Sequence, residues 1–221
     1  MGKNKLERFA ENETFTNLFQ HPEYNLHKGG TFPLKGKWGS EYFKNGNPIV
    51  IEVGCGKGEY TIGLAERFHD MNFIGIDRKG ARLWRGCKTA TENKMANVAF
   101  IRAKIEDLPF FFDAAEVSEI WVTFPDPQPK KPRKRLVSPN FISIYKKFLK
   151  TGSTIHLKTD SRELYAFLLE TIPQENWTLT DNTEDIYNQK CDPILTEIQT
   201  FYEKRWIEEK STISHISFKV N

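Results

Sequence analysis

Three glycines, four carboxylates and one basic run are the residues of this 221-residue chain whose types and spacing could do chemistry. The first group is Gly54-x-Gly56-x-Gly58, with Glu52 before it and Glu59 after it. Glycines let a ligand approach the backbone and let a helix start tight against the preceding strand, so this spacing implies a nucleotide-type cofactor site. A dinucleotide fingerprint places a glycine at its sixth position, beside a pyrophosphate. That position is Glu59 here, and its charge repels a diphosphate. S-adenosylmethionine has no phosphate and presents a sulfonium and an ammonium, which makes Glu52 an attractive partner. Asp77 lies 19 positions after Gly58, close to the distance at which an acid reaches a ribose hydroxyl pair. Alone it reads as a solvated strand-end acid; in register with Glu52 and the glycine turn it reads as a ribose ligand.

The second group is Phe124-Pro125-Asp126-Pro127-Gln128-Pro129-Lys130-Lys131-Pro132-Arg133-Lys134-Arg135. Prolines on either side of Asp126 restrict the backbone and hold its carboxylate over the cofactor pocket with little entropy left to lose. Five of the six residues from 130 to 135 are basic. Such a loop at an active-site mouth suits a polyanionic backbone, with Lys131, Arg133, Lys134 and Arg135 as phosphate contacts. An isolated run of this kind is ordinarily a solvated face; its place directly behind Asp126 favours RNA.

Alternating strand and helix patterns must position these groups. Strands are expected at Ile49–Val53, Asn72–Asp77, Val98–Ala103, Ser118–Phe124, Ser153–Lys158, Trp177–Thr180 and Thr212–Val220. Helices are expected at about Glu59–His69, Ala81–Lys94, Ser138–Leu149 and Asp160–Ile172, with another from Thr200. Ser138-Pro139 supplies an N-cap with a first-turn proline. Asp160-x-x-Glu163 and Thr200-x-x-Glu203 both have capping-box spacing. The pattern predicts one α/β domain with a mostly parallel sheet, helices on both faces and ligands at the carboxyl ends of the strands. Residues 1–47 read as an extension that wraps a domain spanning 48–221. Its first dozen residues are expected to be mobile, and its aromatics (Phe15, Phe19, Tyr24, Phe32, Trp38, Phe43) to serve as packing anchors.

Composition sets bounds. Lys and Arg number 32 against 29 acids, so the net charge of +3 does not by itself announce nucleic-acid binding. Cys55, Cys87 and Cys191 lie far apart, with neither disulfide nor zinc spacing, which fits a reducing cytoplasm. The five histidines (His21, His27, His69, His156, His215) have no metal spacing. His156 reads as a half-buried strand residue. No run is long and apolar enough for a membrane span.

Taken together, Glu52 to Glu59, Gly75-Ile76-Asp77-Arg78-Lys79, the Pro125-Asp126-Pro127-x-Pro129-Lys130-Lys131 loop, Lys158-Thr159-Asp160 and Thr200-x-Tyr202-Glu203 resemble the bacterial tRNA (guanine-N7-)-methyltransferases. The resemblance runs from about Trp38 to the C-terminus. It implies a Rossmann-like class I methyltransferase fold, a seven-stranded sheet with an antiparallel last strand, and methyl transfer from S-adenosylmethionine to the variable-loop guanosine (guanine-46) of tRNA, leaving S-adenosylhomocysteine and needing no metal. It places Glu52, Gly54, Gly56, Gly58, Asp77, Lys104 and Asp126 at the cofactor. It places Lys130, Asp160, Thr200, Phe201, Tyr202 and Glu203 at the substrate, with Asp126 catalytic. Two positions depart from the family pattern. Lys104 stands where an acid usually contacts the cofactor, leaving Glu106 or Asp107 as substitutes, and Gln128 stands where a tryptophan is usual.

Guanine N7 has a lone pair and no proton, so the expected work is alignment and charge stabilisation, not base catalysis. Asp126 or Asp160 could also accept hydrogen bonds from the guanine N1–H and amine. A methyltransferase acting on a protein or small molecule would leave the basic loop idle. A non-catalytic RNA-binding protein on this fold would leave the cofactor acids idle. The expected partner is tRNA, the expected state a monomer or homodimer.

Overall fold

The computed structural model describes residues 5–20 and 29–220. His21, Tyr24 and His27 lie outside them, as do residues 1–4. Two of the short apolar runs are buried along their whole length, β2 (Ile49–Val53) and β3 (Asn72–Asp77), as strands covered by helices on both faces must be. They pair in parallel with β4 (Val98–Arg102) on one side and β5 (Val117–Thr123) on the other. Next to β5 lies β6 (Leu149–Thr159), also parallel; β8 (Ser214–Lys219) then runs antiparallel between β6 and β7 (Thr178–Thr183). With β1 (Leu18–Phe19) at one edge, the sheet order is β1-β4-β3-β2-β5-β6-β8-β7, and the order in which the chain lays down its strands reverses between β2 and β5. That reversal opens a crevice beyond the strand ends, where ligands bind in such sheets.

The eighth strand, β1 (Leu18–Phe19), comes from the N-terminal segment and pairs in parallel with β4 at the sheet edge. Two residues are too short to carry a periodic signal. Residues 5–12, expected to be mobile, form helix α1 (Lys5–Asn12). Asn12 Nδ2 donates to the Gly80 carbonyl (2.9 Å) and Trp84 Nε1 donates to Glu11 (2.5 Å), fixing α1 on α3 (Gly80–Glu92). Phe19, Phe32, Trp38 and Tyr42 pack ring to ring at 5.0–5.9 Å centroid separations, with Trp38 Nε1 bonded to the Phe111 carbonyl.

Helices α2 (Glu59–Arg67), α3 and α5 (Arg162–Gln174) stand close to their expected bounds. Helix α4 (Pro139–Tyr145) is shorter than expected, because Leu149 already begins β6 and pairs with Val117. Ser138 occupies the N-cap position, but its hydroxyl donates to the Arg133 carbonyl (3.1 Å) instead of capping α4. The expected Asp160–Glu163 box does not form: Ser161 caps α5 through Leu164 N, and Glu163 pairs with Arg135. The Thr200–Glu203 box is present in both halves and opens α7 (Phe201–Glu208), after the short α6 (Ile194–Glu197).

Candidate active site

All three glycines of the turn have left-handed backbones, with φ of +77° at Gly54, +58° at Gly56 and +73° at Gly58. At Gly58 a second demand for glycine is added, since a Cβ there would stand 2.6 Å from the Phe100 ring. The turn is held to β3 by Gly54 N and Cys55 N, both donating to the Ile76 carbonyl (2.8 and 3.0 Å). Asp77, at the end of β3, accepts from Gly56 N (3.1 Å) and from Lys79 N (2.7 Å). Its carboxylate is thereby fixed against the turn with little freedom left to lose.

Glu52 lies deeper, at 3 % exposure. Its carboxylate accepts from Thr61 N (2.8 Å) and from the hydroxyls of Thr61 and Thr123, joining β2, α2 and the end of β5. Burial pushes its pKa up to about 7, against the lowering effect of those bonds. Glu59 accepts from Phe201 N (3.1 Å), tying the glycine turn to α7.

A cleft of about 590 Å³ opens at the point of strand reversal, within the size range of small-molecule sites. Gly54, Asp77, Lys104, Phe124, Asp126 and Leu136 line it, and Glu52 does not. Of the two candidate substitute acids, Glu106 reaches the wall and Asp107 is buried away from it. Arg78, Lys79, Arg82, Lys131 and Lys134 also line the walls; Arg78 and Lys79 stand in a stretch that carries the family resemblance but have no role assigned by it, and Arg82, in α3, carries no sequence signal.

The Asp126 loop leaves β5 through Phe124, whose φ is +47°, and turns again at Gln128, φ +46°. Asp126 is exposed and accepts from Gln128 N (3.1 Å), so residue 128 shapes the loop through its backbone. Lys130, Lys131, Arg133 and Lys134 are exposed. Arg135 departs from the expected phosphate contacts: it is 4 % exposed, donates to the Pro127 carbonyl (2.9 Å), pairs with Glu163 and lies over the Phe167 ring (4.4 Å). It anchors the loop from beneath.

The Thr200–Glu203 quartet divides. Thr200 is half-buried, Phe201 and Tyr202 are 57 % and 47 % exposed, and Lys57 Nζ stands over the Phe201 ring at 4.3 Å. Glu203, expected at the substrate, is fully buried in an ion pair with Lys158 (2.6 Å) and accepts from the Tyr187 hydroxyl (2.8 Å). Lys158 is equally buried and also donates to the Leu195 (2.6 Å) and Ile198 (3.2 Å) carbonyls. No local pattern marks this pair: β6 is a mixed strand that also carries Lys150, Thr151, Ser153, Thr154 and His156, and Lys158 stands out only as part of the Lys158-Thr159-Asp160 stretch. Asp160, half-buried at the end of β6, has its pKa raised by burial. His156 is half-buried, stacked on Trp121 (4.0 Å, 4°) and 3.2 Å from His215. Burial lowers the pKa of both histidines, of His215 to about 4. Among the described residues no three His, Cys, Asp or Glu side chains are grouped to hold a metal ion, and no helix is long and apolar enough to cross a membrane.

The strand order and a glycine-turn cleft at its reversal define a Rossmann-like class I methyltransferase fold. The chain is similar in fold to a solved "antibiotic related methyltransferase" (TM-score 0.64, 20 % identity, 86 % of this chain and 96 % of that one). It is likewise similar to a 16S rRNA methyltransferase structure (TM-score 0.62, 16 %, 79 % and 88 %). The family model described as "Putative methyltransferase" matches residues 46–216. Curated relatives named tRNA (guanine-N(7)-)-methyltransferase include one from Christiangramia forsetii, 48 % identical over 99 % of this chain and 98 % of its own length. Another, from Bacteroides fragilis, is 45 % identical over 99 % and 86 %. The chain belongs to the tRNA (guanine-N7-)-methyltransferase family.

Proposed function

We propose that this protein transfers a methyl group from S-adenosylmethionine to N7 of the variable-loop guanosine, guanine-46, of tRNA, releasing S-adenosylhomocysteine. The observation that carries the reading is Asp126, an exposed carboxylate in the wall of the cleft, immediately followed by the exposed cations Lys130, Lys131, Arg133 and Lys134. Near-full-length relatives bearing that name support it. The glycine turn and Asp77 would hold the nucleoside part of the cofactor, and Glu52 would fix the turn and the end of β5 around it. When bound, the cofactor supplies an electrophilic methyl carbon on a sulfonium.

The chain's own residues have to align N7 with that carbon and to offset charge. Alignment of two reactants is worth roughly 7 to 11 kcal/mol in favourable systems. N7 needs no deprotonation, so no general base is required; as its lone pair forms the new bond, the purine becomes cationic. Asp126 stabilises that developing charge from the cleft wall. Phe201 and Tyr202 offer apolar rings to a base drawn out of its stack, and the basic loop takes the flanking phosphates. This reading carries with it a cytoplasmic location and no need of a metal.

Label from methyl-tritiated cofactor should enter an unmodified tRNA transcript, and should not enter the same transcript carrying 7-deazaguanosine at position 46. Equal labelling of both would place the methyl on another atom and overturn the assignment.

A further inference from the structure

Lys158 is used by none of the chemistry above, yet it is fully buried at the centre of the site's framework. Its three ammonium hydrogens meet three acceptors: Glu203, the Leu195 carbonyl and the Ile198 carbonyl. Its Nζ lies 5.0 Å from the Tyr60 ring centroid in α2 and 5.6 Å from that of Phe124. Its backbone carbonyl accepts from Phe124 N (2.8 Å), at the root of the Asp126 loop. On the other side Glu203 uses its second oxygen to accept from Thr200 N (3.3 Å), closing the first turn of α7, which displays Phe201 and Tyr202. Trp206 of that helix packs on Phe124 at 4.8 Å.

One lysine thus touches both walls between which a guanine would have to enter. Two charges taken out of water in this way give weak net stabilisation, and an apolar pair of similar volume often folds as well. Geometry is what such a pair contributes, because an ammonium and a carboxylate with every hydrogen bond filled have one arrangement. We infer that Lys158 is the positioning residue of the substrate slot: through Glu203 it sets where the Phe201–Tyr202 turn stands relative to the Asp126 loop. The inference rests on the functional reading above and deepens it, since Glu203 then serves the substrate without touching it.

The test is the double variant Lys158→Met with Glu203→Gln, which removes both charges and keeps side-chain volume and the Thr200 cap. The dissociation constant of S-adenosylhomocysteine by calorimetry should stay within about twofold. The kcat/KM for tRNA should fall by at least ~10-fold, toward the ~100-fold that an ångström of misplacement can cost. Wild-type kcat/KM, or a parallel loss of cofactor affinity and melting temperature, would overturn the proposal by making the pair dispensable or merely structural. Should the double variant not fold, Glu203→Asp, which keeps both charges and draws the carboxylate back by one methylene, is read by the same two measurements, with the same split expected and its absence equally fatal. Wild-type protein is the reference in each assay: if it places no methyl on tRNA the functional reading fails, and if variant and wild type methylate equally only the role of Lys158 fails.

Discussion

Gly58→Ala tests whether the turn's backbone is dictated by its surroundings. Two separate costs can be worked out. A non-glycine residue at φ +73° costs roughly 1–2 kcal/mol. The new methyl would also stand 2.6 Å from Cε1 and 2.8 Å from Cζ of Phe100, a fully buried ring. That ring has little room to retreat, because it is fully buried and lies so close over the Gly75 and Gly86 backbones that a Cβ added to either would stand 2.7 or 2.6 Å from it. Overpacking of this kind costs typically about 1–3 kcal/mol. The sum is about 2–5 kcal/mol, a large fraction of an ordinary domain's stability. Gly152→Ala separates the two costs: its φ is +77° with nothing within 4 Å, so it bears only the backbone cost. Urea unfolding of the two variants should therefore differ by about 1–3 kcal/mol, with Gly58→Ala the weaker. Equal losses would mean that Phe100 does not press on the turn, and the packing argument would fall.

Other perturbations read other parts of the site. Asp77→Ala should weaken S-adenosylhomocysteine binding by about 1.5–3 kcal/mol, measured by calorimetry, if its carboxylate makes a charge-assisted hydrogen bond to the ribose; unchanged affinity would leave Asp77 only its turn-fixing bonds. Replacing Lys131, Arg133 and Lys134 with alanine should flatten the salt dependence of tRNA binding by ~0.7–0.9 in slope for each phosphate no longer neutralised, whereas Arg135→Ala should lower the melting temperature and leave that slope alone. Glu52 has a folded pKa of about 7, above its unfolded value, so its contribution is full below pH ~4.5 and is lost as pH rises through ~7. In free protein, Glu52→Gln should therefore gain stability relative to wild type across that window, on the order of 3 kcal/mol in total; parallel stability curves would show an ordinary carboxylate.

The strands and helices that build the crevice were legible because their signals are local: apolar runs, the glycine turn after β2, Asp77 at a fixed distance, and prolines around Asp126. Pairings between distant segments were not. Nothing within residues 130–135 distinguishes Arg135 from its neighbours, and only its meeting with Glu163 and Phe167 turns it inward. Lys158 and Glu203 each carry a local reading, a strand residue and a cap, while their pairing exists only after β6 and α7 have packed. Asp160 and Ser161 are both competent caps, and the register of the chain leaving β6 gives the role to Ser161.

The central claim is that the cleft delivers a methyl group to one nitrogen of one nucleoside. Incubating unmodified tRNA with wild-type protein and Asp126→Asn, then cleaving at N7-methylguanosine and sequencing the ends, tests it most directly. The account predicts a single wild-type stop in the variable loop, at guanine-46. With Asp126→Asn the same stop should form more slowly by about 2.7–4 kcal/mol of barrier. Methylation at another position, or a variant as fast as wild type, would contradict it.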